Sequence, residues 1–488
     1  DFDAMLNQTN LTAHHNNNKF IRVQLVENTS SGRVTLHKRW GRVGEAGQQQ
    51  QIGPTTAAAA EAEFRKYFRS KTGNAWDDRA SFEPKAGKYT LIEMEDDREA
   101  AQQMTDNAAA ASPAPALTLP CSLKPPVSSF VELIFDQDMF KSAMAGLEID
   151  SDRLPLGALS LAQVQRGRDV LVKLQAALKR GAAPAAIEAL SGEFYTTIPH
   201  AFGRKRPPPI ASDLLLAKKF DMLNTLEDIE ATQTTMKHAN EAAQMQTRSS
   251  SSKTYHKKHP TDVNFEALSV DLAHVPKGSA EHTVIAAYLA ATSTGHFKQA
   301  MSLEHVFKVA RHAEDATFAA HAALQNRKLL WHGTHIAVVA AILKSGLRIM
   351  PHSGGRVGKG IYLADMHDKS ACYATPGRGK VIMFLVEAAL GTTHDILRDK
   401  PNLTRAPPGT HSVVARGRRE PDPRRDATLV IDGKPVRVPQ GAPGPNASTP
   451  GAMRSTFHHN EFLIYQESQH RIRYVLQFRV TSSWGSDY

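Results

Sequence analysis

Cysteine and long apolar runs are both scarce in this sequence of 488 residues. The two cysteines, Cys121 and Cys372, cannot form a disulfide framework or a four-ligand zinc site, so we expect no bound metal. No run of about 18 apolar residues is present, so we predict no transmembrane helix and no membrane partner. Residues 381–386 are apolar but the run stops at Glu387, which predicts a buried strand. These absences favour a reducing intracellular compartment.

The bulk composition is that of an ordinary globular protein with an excess of positive charge. Hydrophobic residues make up 41% and charged residues 22% of the chain, and the formal net charge is +10. An acidic partner fits this charge, and nucleic acid is the first candidate. Because the chain starts at Asp1 with neither a methionine nor a signal-peptide pattern, we expect a piece of a longer protein.

Shifts in composition divide the chain into three predicted domains, the number expected at about 150 residues per domain. The first covers residues 1–98, the second residues 121–246 and the third residues 261–488. Residues 99–120 are rich in alanine and proline without periodicity, and residues 247–260 begin with a serine run. Both segments are therefore predicted linkers.

The three domains differ in their hydrophobic periodicity. In the first, Ile21, Val23 and Leu25 alternate with polar residues as in a half-buried strand, and residues 61–70 have helical spacing. In the second, apolar residues recur at helical spacing after Ser160, which predicts an all-α domain. The third has short apolar runs separated by turns, which favours a mixed α+β fold over a doubly wound one. The predicted fold class is multidomain α+β.

Several elements are predicted at specific places. Ser160 and Gln163 fit a capping box, in which the serine accepts from the first helical turn and the glutamine reaches back. Asp228 and Glu230 face away from a second apolar stripe, whose members are Met222, Leu223, Leu226 and Ile229. In the third domain, residues 405–451 are predicted to be rich in loops. Strands are predicted at residues 381–386, 428–431, 462–465 and 473–480.

Three short motifs, far apart in the chain, form the most specific signal. They are residues 329–334 (LLWHGT), residues 358–362 (GKGIY) and residues 460–465 (NEFLIY). Each is weak alone, since His-Gly pairs and Gly-x-Gly runs are common. In this order and in this apolar context they closely resemble the His-Tyr-Glu signature of the poly(ADP-ribose) polymerase family. The resemblance spans residues 6–480 and implies an ADP-ribosyltransferase with NAD as co-substrate.

The resemblance implies a substitution at the ribose carbon that bears nicotinamide. Such a reaction passes through an oxocarbenium-like state, as glycoside cleavage does. Nicotinamide leaves as a neutral molecule, so no general acid is required and one carboxylate suffices. By resemblance that carboxylate is Glu461, which binds a ribose hydroxyl, orients the acceptor and stabilises positive charge. Taken alone, Glu461 fits better as a strand-edge carboxylate in a solvated ion pair, and the two other motifs favour the catalytic role. Phe462 stands where the family more often has tyrosine.

The other signature residues are implied to hold NAD, with His332 and Tyr362 also counted as catalytic. His332 is expected to hydrogen-bond the ribose hydroxyls, and Gly333 to let the backbone pair with the carboxamide. Thr334 stands where the family often carries serine. Tyr362 and Tyr373 are expected to stack on the nicotinamide ring.

Two further NAD contacts are implied. Ser370 is expected to donate to the carboxamide oxygen, and Arg348 to lie toward the adenosine half. The alternative for Arg348 is an ordinary exposed arginine. Residues 354–360 are glycine-rich but have neither Walker nor Gly-x-Gly-x-x-Gly spacing, which excludes a kinase, an NTPase and a Rossmann dehydrogenase. The short connection at residues 350–357 resembles the DNA-dependent member that transfers single ADP-ribose units.

A Trp-Gly-Arg run at Trp40 resembles the WGR domain of DNA-dependent family members. Residues 1–94 hold 13 basic and 10 acidic side chains, a net charge of only +3, so charge alone does not identify a DNA reader. Trp40 is expected to stack on a terminal base or sugar. Arg42, together with Arg39 immediately before the tryptophan, is expected to bind phosphate. Tyr89 is a weaker candidate for a terminal phosphate. The alternative for Trp40 is a buried side chain that closes the sheet.

Residues 194–200 and 226–230 resemble the helical regulatory domain of the same family, with Asp228 as its predicted regulatory residue. The resemblance as a whole implies a nuclear enzyme that DNA breaks, with a 5′-phosphate, switch on. Its acceptors are expected to be itself and nearby proteins, and its product mono-ADP-ribose. A DNA-break-binding scaffold with a silent transferase fold stays open, as does a DNA-independent transferase.

Overall fold

The chain forms two compact units in this computed structural model. By spatial contacts they are Asp1–Ser112 with Phe140–Glu230, and Pro113–Met139 with Ala231–Tyr488. The structure describes residues 2–12, 16–92, 117–149, 160–248, 256–294, 300–350 and 354–482. Residues 99–116 and 249–255 lie outside the described residues, and with them most of the first predicted linker and half of the second. Among the helices so described, none combines the length and apolar character needed to cross a membrane.

The first unit contains a five-stranded antiparallel sheet in the order β4-β3-β2-β1-β5. Ile21 and Val23 point into its core as the alternation predicts, and helix α1 covers that face with Phe64 and Phe68. The α1 N-cap is Thr56, whose side chain accepts from the first turn. The bounds are β1 Asp3–Asn10, β2 Asn17–Asn28, β3 Arg33–Arg42, β4 Gln48–Thr55, α1 Ala57–Thr72 and β5 Thr90–Ile92.

The helices that lie wholly or partly in the rest of this unit confirm the predicted all-α region. They are α3 Gln137–Gly146, α4 Leu161–Lys179, α5 Pro184–Thr197 and α6 Asp213–Arg248. Ser160 caps α4 as predicted, accepting from the Gln163 N–H at 3.1 Å, and the Gln163 amide donates to the Thr197 carbonyl at 2.6 Å. Asp228 and Glu230 lie off the apolar stripe of α6, yet both are buried.

The second unit is built on a seven-stranded mixed sheet and a four-stranded sheet. Their strand orders are β16-β17-β10-β12-β20-β9-β8 and β11-β19-β14-β13. The strands are β6 Leu117–Thr118, β7 His256–Lys257, β8 Val270–His274, β9 Ala300–Arg311, β10 Arg327–Gly333, β11 Ile361–Leu363, β12 Lys380–Ala389, β13 Thr393–Ile396, β14 Ser412–Ala415, β15 Arg419–Pro421, β16 Ala427–Ile431, β17 Lys434–Val438, β18 Pro443–Pro445, β19 Glu461–Ile464 and β20 His470–Ser482.

Apart from the end of α6, the helices in this unit have at most 13 residues, which agrees with the mixed α+β prediction. They are α2 Val127–Ile134, α7 Pro260–Leu268, α8 Ala280–Thr292, α9 Glu314–Ala319, α10 Val339–Ser345 and α11 His367–Ala371. Strand β12 is buried along nearly its whole length between β10 and β20, as its unbroken apolar run predicts. Residues 405–451 hold five short strands, β14 to β18, and are therefore more ordered than their composition predicts.

Candidate active site

The three signature motifs meet where the two sheets of the second unit adjoin. His332 lies on β10, Tyr362 on β11 and Glu461 at the start of β19. Strand β11 pairs with β19, placing Tyr362 opposite Leu463. Trp331 exchanges two backbone hydrogen bonds with Ala364, of 2.8 and 3.1 Å, which joins β10 to the end of β11. The fold therefore brings residues separated by about 130 positions into one site.

The tautomer of His332 is fixed by the backbone. Its Nδ1 lies 3.1 Å from the Tyr362 carbonyl oxygen, which can only accept, so Nδ1 carries the proton. Burial lowers the pKa of His332, and the bond to Tyr362 opposes this only in part. The ring is therefore neutral at physiological pH and keeps Nε2 as an acceptor. An acceptor there suits the ribose hydroxyl that the sequence assigns to His332.

Gly333 is required by packing, a reason that sequence reasoning did not identify. A Cβ at this position would lie 1.9 Å from the Ser370 carbonyl oxygen, a distance no side chain tolerates. Helix α11 is thus held directly against the end of β10. The Ser370 hydroxyl donates to the Trp331 carbonyl at 3.0 Å. Its predicted bond to a carboxamide would need that hydroxyl to turn away, so this role stays a prediction.

The hydroxyl of Tyr362 is held by the glycine-rich segment. It donates to the Gly358 carbonyl at 2.7 Å and accepts from the Val357 N–H at 3.1 Å. A Cβ on Gly355 would lie 2.5 Å from this hydroxyl, and one on Gly358 would lie 1.9 Å from the Leu403 carbonyl oxygen. Burial raises the pKa of Tyr362. The glycines therefore enclose a neutral tyrosine, in keeping with the exclusion of a phosphate loop.

The remaining predicted NAD contacts are less enclosed. Tyr373 follows α11 and is 65% exposed. Thr334 is half-buried just after β10, and Arg348 is exposed after α10. Residues 351–353 of the short connection lie outside the described part of the chain. The stacking of Tyr373 and the adenosine contact of Arg348 stay predictions.

Glu461 is paired with a lysine that sequence reasoning missed. The Glu461 residue is only 5% exposed, and its Oε1 lies 2.6 Å from the Nζ of Lys369. Lys369 sits on α11 immediately before Ser370. A carboxylate this buried needs a charged partner, because an unpaired buried charge costs several kcal/mol. The signal available in the sequence was the position of Lys369 beside a predicted contact residue.

Arg42, a predicted DNA contact, is engaged inside the first unit. Its Nε donates to the Gly203 carbonyl at 2.8 Å, and its two terminal nitrogens bind the backbone and side-chain oxygens of Asn16 at 2.8 and 3.0 Å. Nearby, Asn18 donates to the His200 carbonyl at 2.9 Å. The end of β3 is therefore fastened to the turn that follows α5.

The other predicted DNA and regulatory residues occupy varied settings. Arg39 is exposed and donates twice to the Ala46 carbonyl, at 3.0 and 2.8 Å. Trp40 and Tyr89 are half-buried against the core of the first sheet, and burial raises the pKa of Tyr89. Asp228 is buried on α6. These assignments stay predictions.

Comparison with known proteins gives three matching family profiles and a set of full-length relatives. The profiles are the poly(ADP-ribose) polymerase catalytic domain at residues 279–480, the poly(ADP-ribose) polymerase regulatory domain at residues 121–265 and the WGR domain at residues 2–83. "Protein mono-ADP-ribosyltransferase PARP3" of Mus musculus is 43% identical over 98% of this chain and 88% of its own length. The protein of that name from Homo sapiens is 45% identical, over 98% and 87%. "Poly [ADP-ribose] polymerase 2-A" of Oryza sativa subsp. japonica is 36% identical, over 97% and 69%.

Proposed function

This chain belongs to the poly(ADP-ribose) polymerase family and is an NAD-dependent ADP-ribosyltransferase; we propose that it is a nuclear enzyme that DNA strand breaks activate. In this proposal it transfers single ADP-ribose units to itself and to nearby proteins. The observation that carries the catalytic part of the proposal is the Glu461–Lys369 pair beside a neutral His332 and an enclosed Tyr362.

The chemistry follows from what each side chain can do at the ribose. The bond between the ribose carbon and the nicotinamide nitrogen breaks, and its electron pair stays with nicotinamide, which departs neutral. A bond forms from the same carbon to an acceptor oxygen, and a hydroxyl acceptor releases its proton to solvent. Glu461 stabilises the positive charge that develops on the ribose, where a fixed negative charge is worth most. His332 accepts from a ribose hydroxyl through Nε2. Tyr362 and Tyr373 hold the ring by stacking.

Transfer of single units is supported by the names of the mouse and human relatives, both of which contain "mono-ADP-ribosyltransferase". The chain matches these relatives along nearly its whole length. The product of this chain is therefore proposed to be mono-ADP-ribose on protein acceptors.

Activation by DNA is supported by the first unit. It carries a WGR match at residues 2–83, and Arg42 in that motif is bonded to Gly203, outside the sheet. A duplex that contacts Arg39, Trp40 or Arg42 would change those bonds. The change would then displace the turn after α5. A break with a 5′-phosphate is the proposed ligand, and the nucleus the proposed location.

One experiment tests the proposal as a whole. Purified protein is incubated with NAD, with and without a nicked duplex carrying a 5′-phosphate, and both nicotinamide release and the gel mobility of the protein are followed. We expect release that depends on DNA, and a discrete shift in mobility. A smear would mean polymer, equal release without DNA would mean a constitutive enzyme, and no release would mean a silent scaffold.

A further inference from the structure

A polar cavity lies behind the strand that carries Glu461. Successive side chains of a strand point to opposite faces, and Glu461 bonds to Lys369 on one of them. Its neighbours Asn460 and Phe462 line the cavity on the other, which has a volume of about 180 Å³. Six charged side chains share this lining: Lys328, Asp365, Arg416, Glu420, Asp426 and Arg437.

Asn460 is held by three partners in this cavity. Its Nδ2 donates to Asp365 Oδ2 at 2.7 Å and reaches Glu420 Oε2 at 3.4 Å, while its Oδ1 accepts from the Gly417 N–H at 2.8 Å. Asn460 is 1% and Asp365 3% exposed. The amide is thus fixed in both direction and rotation, immediately before Glu461.

Asp365 depends on this contact in turn. Its second oxygen, Oδ1, is buried and has no hydrogen-bond partner within the described residues. Burial and Glu420 raise the pKa of Asp365 to about 6, opposed by the bond from Asn460 and by Lys328 and Arg416. The Asn460 amide is therefore the donor that holds a deeply buried carboxylate in place.

The same short segment grips the Glu461 strand from both faces. Asp365 lies just before α11, and Lys369 lies on that helix. Asp365 binds Asn460 behind the strand, and Lys369 binds Glu461 in front of it at 2.6 Å. Strand β19 itself is held on its two edges by β11 and β14. Loss of the rear contact would therefore free the backbone at Asn460, just before the start of the strand, and the neighbouring Glu461 carboxylate would shift with it.

We propose that Asp365 and Asn460 are positioning residues that aim the Glu461 carboxylate by clamping β19 to the start of α11 from behind. The inference rests on the proposed role of Glu461. Neither residue faces the side of the strand on which Glu461 lies, so NAD binding through His332 and Tyr362 is left intact. Catalysis is sensitive to such aim, since a shift of about 1 Å can cost roughly 100-fold in rate.

The test compares three substitutions in the full-length, DNA-activated protein. Asp365→Leu keeps the approximate shape but removes the acceptor, Asp365→Asn keeps an acceptor oxygen, and Asp426→Leu makes the same change in the same cavity without touching Asn460. Nicotinamide release gives kcat and the KM for NAD. We expect Asp365→Leu to lower kcat about tenfold or more with KM within about twofold. Asp365→Asn and Asp426→Leu should keep kcat within about threefold of wild type.

Several results would overturn the proposal. They are a wild-type kcat in Asp365→Leu, a rise in its KM that matches the fall in kcat, or equal damage in Asp365→Asn or Asp426→Leu. If Asp365→Leu does not fold, Asn460→Ser decides, because serine is too short to reach Asp365; an unchanged kcat there refutes the clamp. Wild-type protein that releases no nicotinamide refutes the proposed function itself, whereas active wild type with unaffected variants refutes only this inference.

Discussion

At the scale of single residues, the site fixes its protons through backbone contacts. The Tyr362 carbonyl sets the tautomer of His332, and backbone groups of Gly358 and Val357 hold the Tyr362 hydroxyl. Both side chains therefore have one hydrogen-bonding state, and no reorganisation is needed when the ribose arrives. The carboxylate of Glu461 is then the charged group that is proposed to stabilise the developing positive charge on the ribose.

Glu461→Gln should retain NAD binding and suppress transfer. The amide keeps the shape of the side chain but lacks the charge that is most effective in the transition state. We expect kcat to fall by about 100-fold or more, as when one preorganised electrostatic group is removed elsewhere. Nicotinamide release and NAD binding by calorimetry give the two quantities. Glu281→Gln, on α8, is the control. Transfer at the wild-type rate would show that Glu461 is not the catalytic carboxylate.

Asp365→Asn should also change stability with pH. The carboxyl has a pKa of about 6 in the folded protein and about 3.9 in the unfolded chain. A raised pKa means that wild type is favoured at low pH and loses stability as pH rises from about 4 through 6. Asparagine does not titrate, so the free energy of unfolding of the variant should rise relative to that of wild type by about 2 kcal/mol across this window. Thermal unfolding at pH 4 and pH 7 measures it; a constant difference contradicts the assignment.

At the scale of elements, hydrophobic periodicity predicted the strands and helices but not the tertiary contacts that each of them makes. Alternation in β2 and the unbroken apolar run of β12 were enough to predict these strands and their buried residues, because the pattern of burial along a strand is visible in consecutive residues. Other features depend on residues that are far away in sequence. They are the burial of Asp228 and Glu230, the clash at Gly333 and the pairing of Lys369 with Glu461. Without tertiary distances, motif resemblance could name Glu461, but no periodicity could find Lys369.

Arg42→Ala should uncouple DNA binding from activity. The substitution removes the three hydrogen bonds that fasten the end of β3 to Asn16 and to Gly203. We expect basal transfer to persist and stimulation by nicked 5′-phosphorylated duplex to fall about tenfold. Activity with and without DNA is the measurement.

The matched control for that variant is Arg39→Ala. Arg39 lies on the same strand but bonds only to the nearby Ala46 carbonyl among the contacts seen in the described structure. It should weaken DNA affinity while leaving full stimulation at saturating DNA. Stimulation of Arg42→Ala equal to wild type would reject the coupling role.

At the scale of the whole molecule, the regulatory match at residues 121–265 implies control of the transferase by the helical region. Residues 124–245 should act as a brake that DNA relieves. A roughly 100-fold rise in the active population needs about 2.7 kcal/mol, which is within the range of local unfolding. DNA should therefore accelerate amide hydrogen exchange within this region specifically.

Deletion of residues 124–245 gives the complementary measurement. The shortened protein should show high activity without DNA. Folding and NAD binding are checked first, by circular dichroism and calorimetry. A shortened protein that folds and binds NAD yet still requires DNA would rule the brake out.

The cavity behind β19 bears on how this enzyme could be inhibited. Its lining residues Asp365, Asn460 and Phe462 lie on the opposite side of the strand from Glu461, so a compound seated there would not compete with NAD. Such a compound would lower the reaction rate by the same fraction at every NAD concentration. The KM for NAD would stay unchanged. Cellular NAD, however abundant, could not displace it.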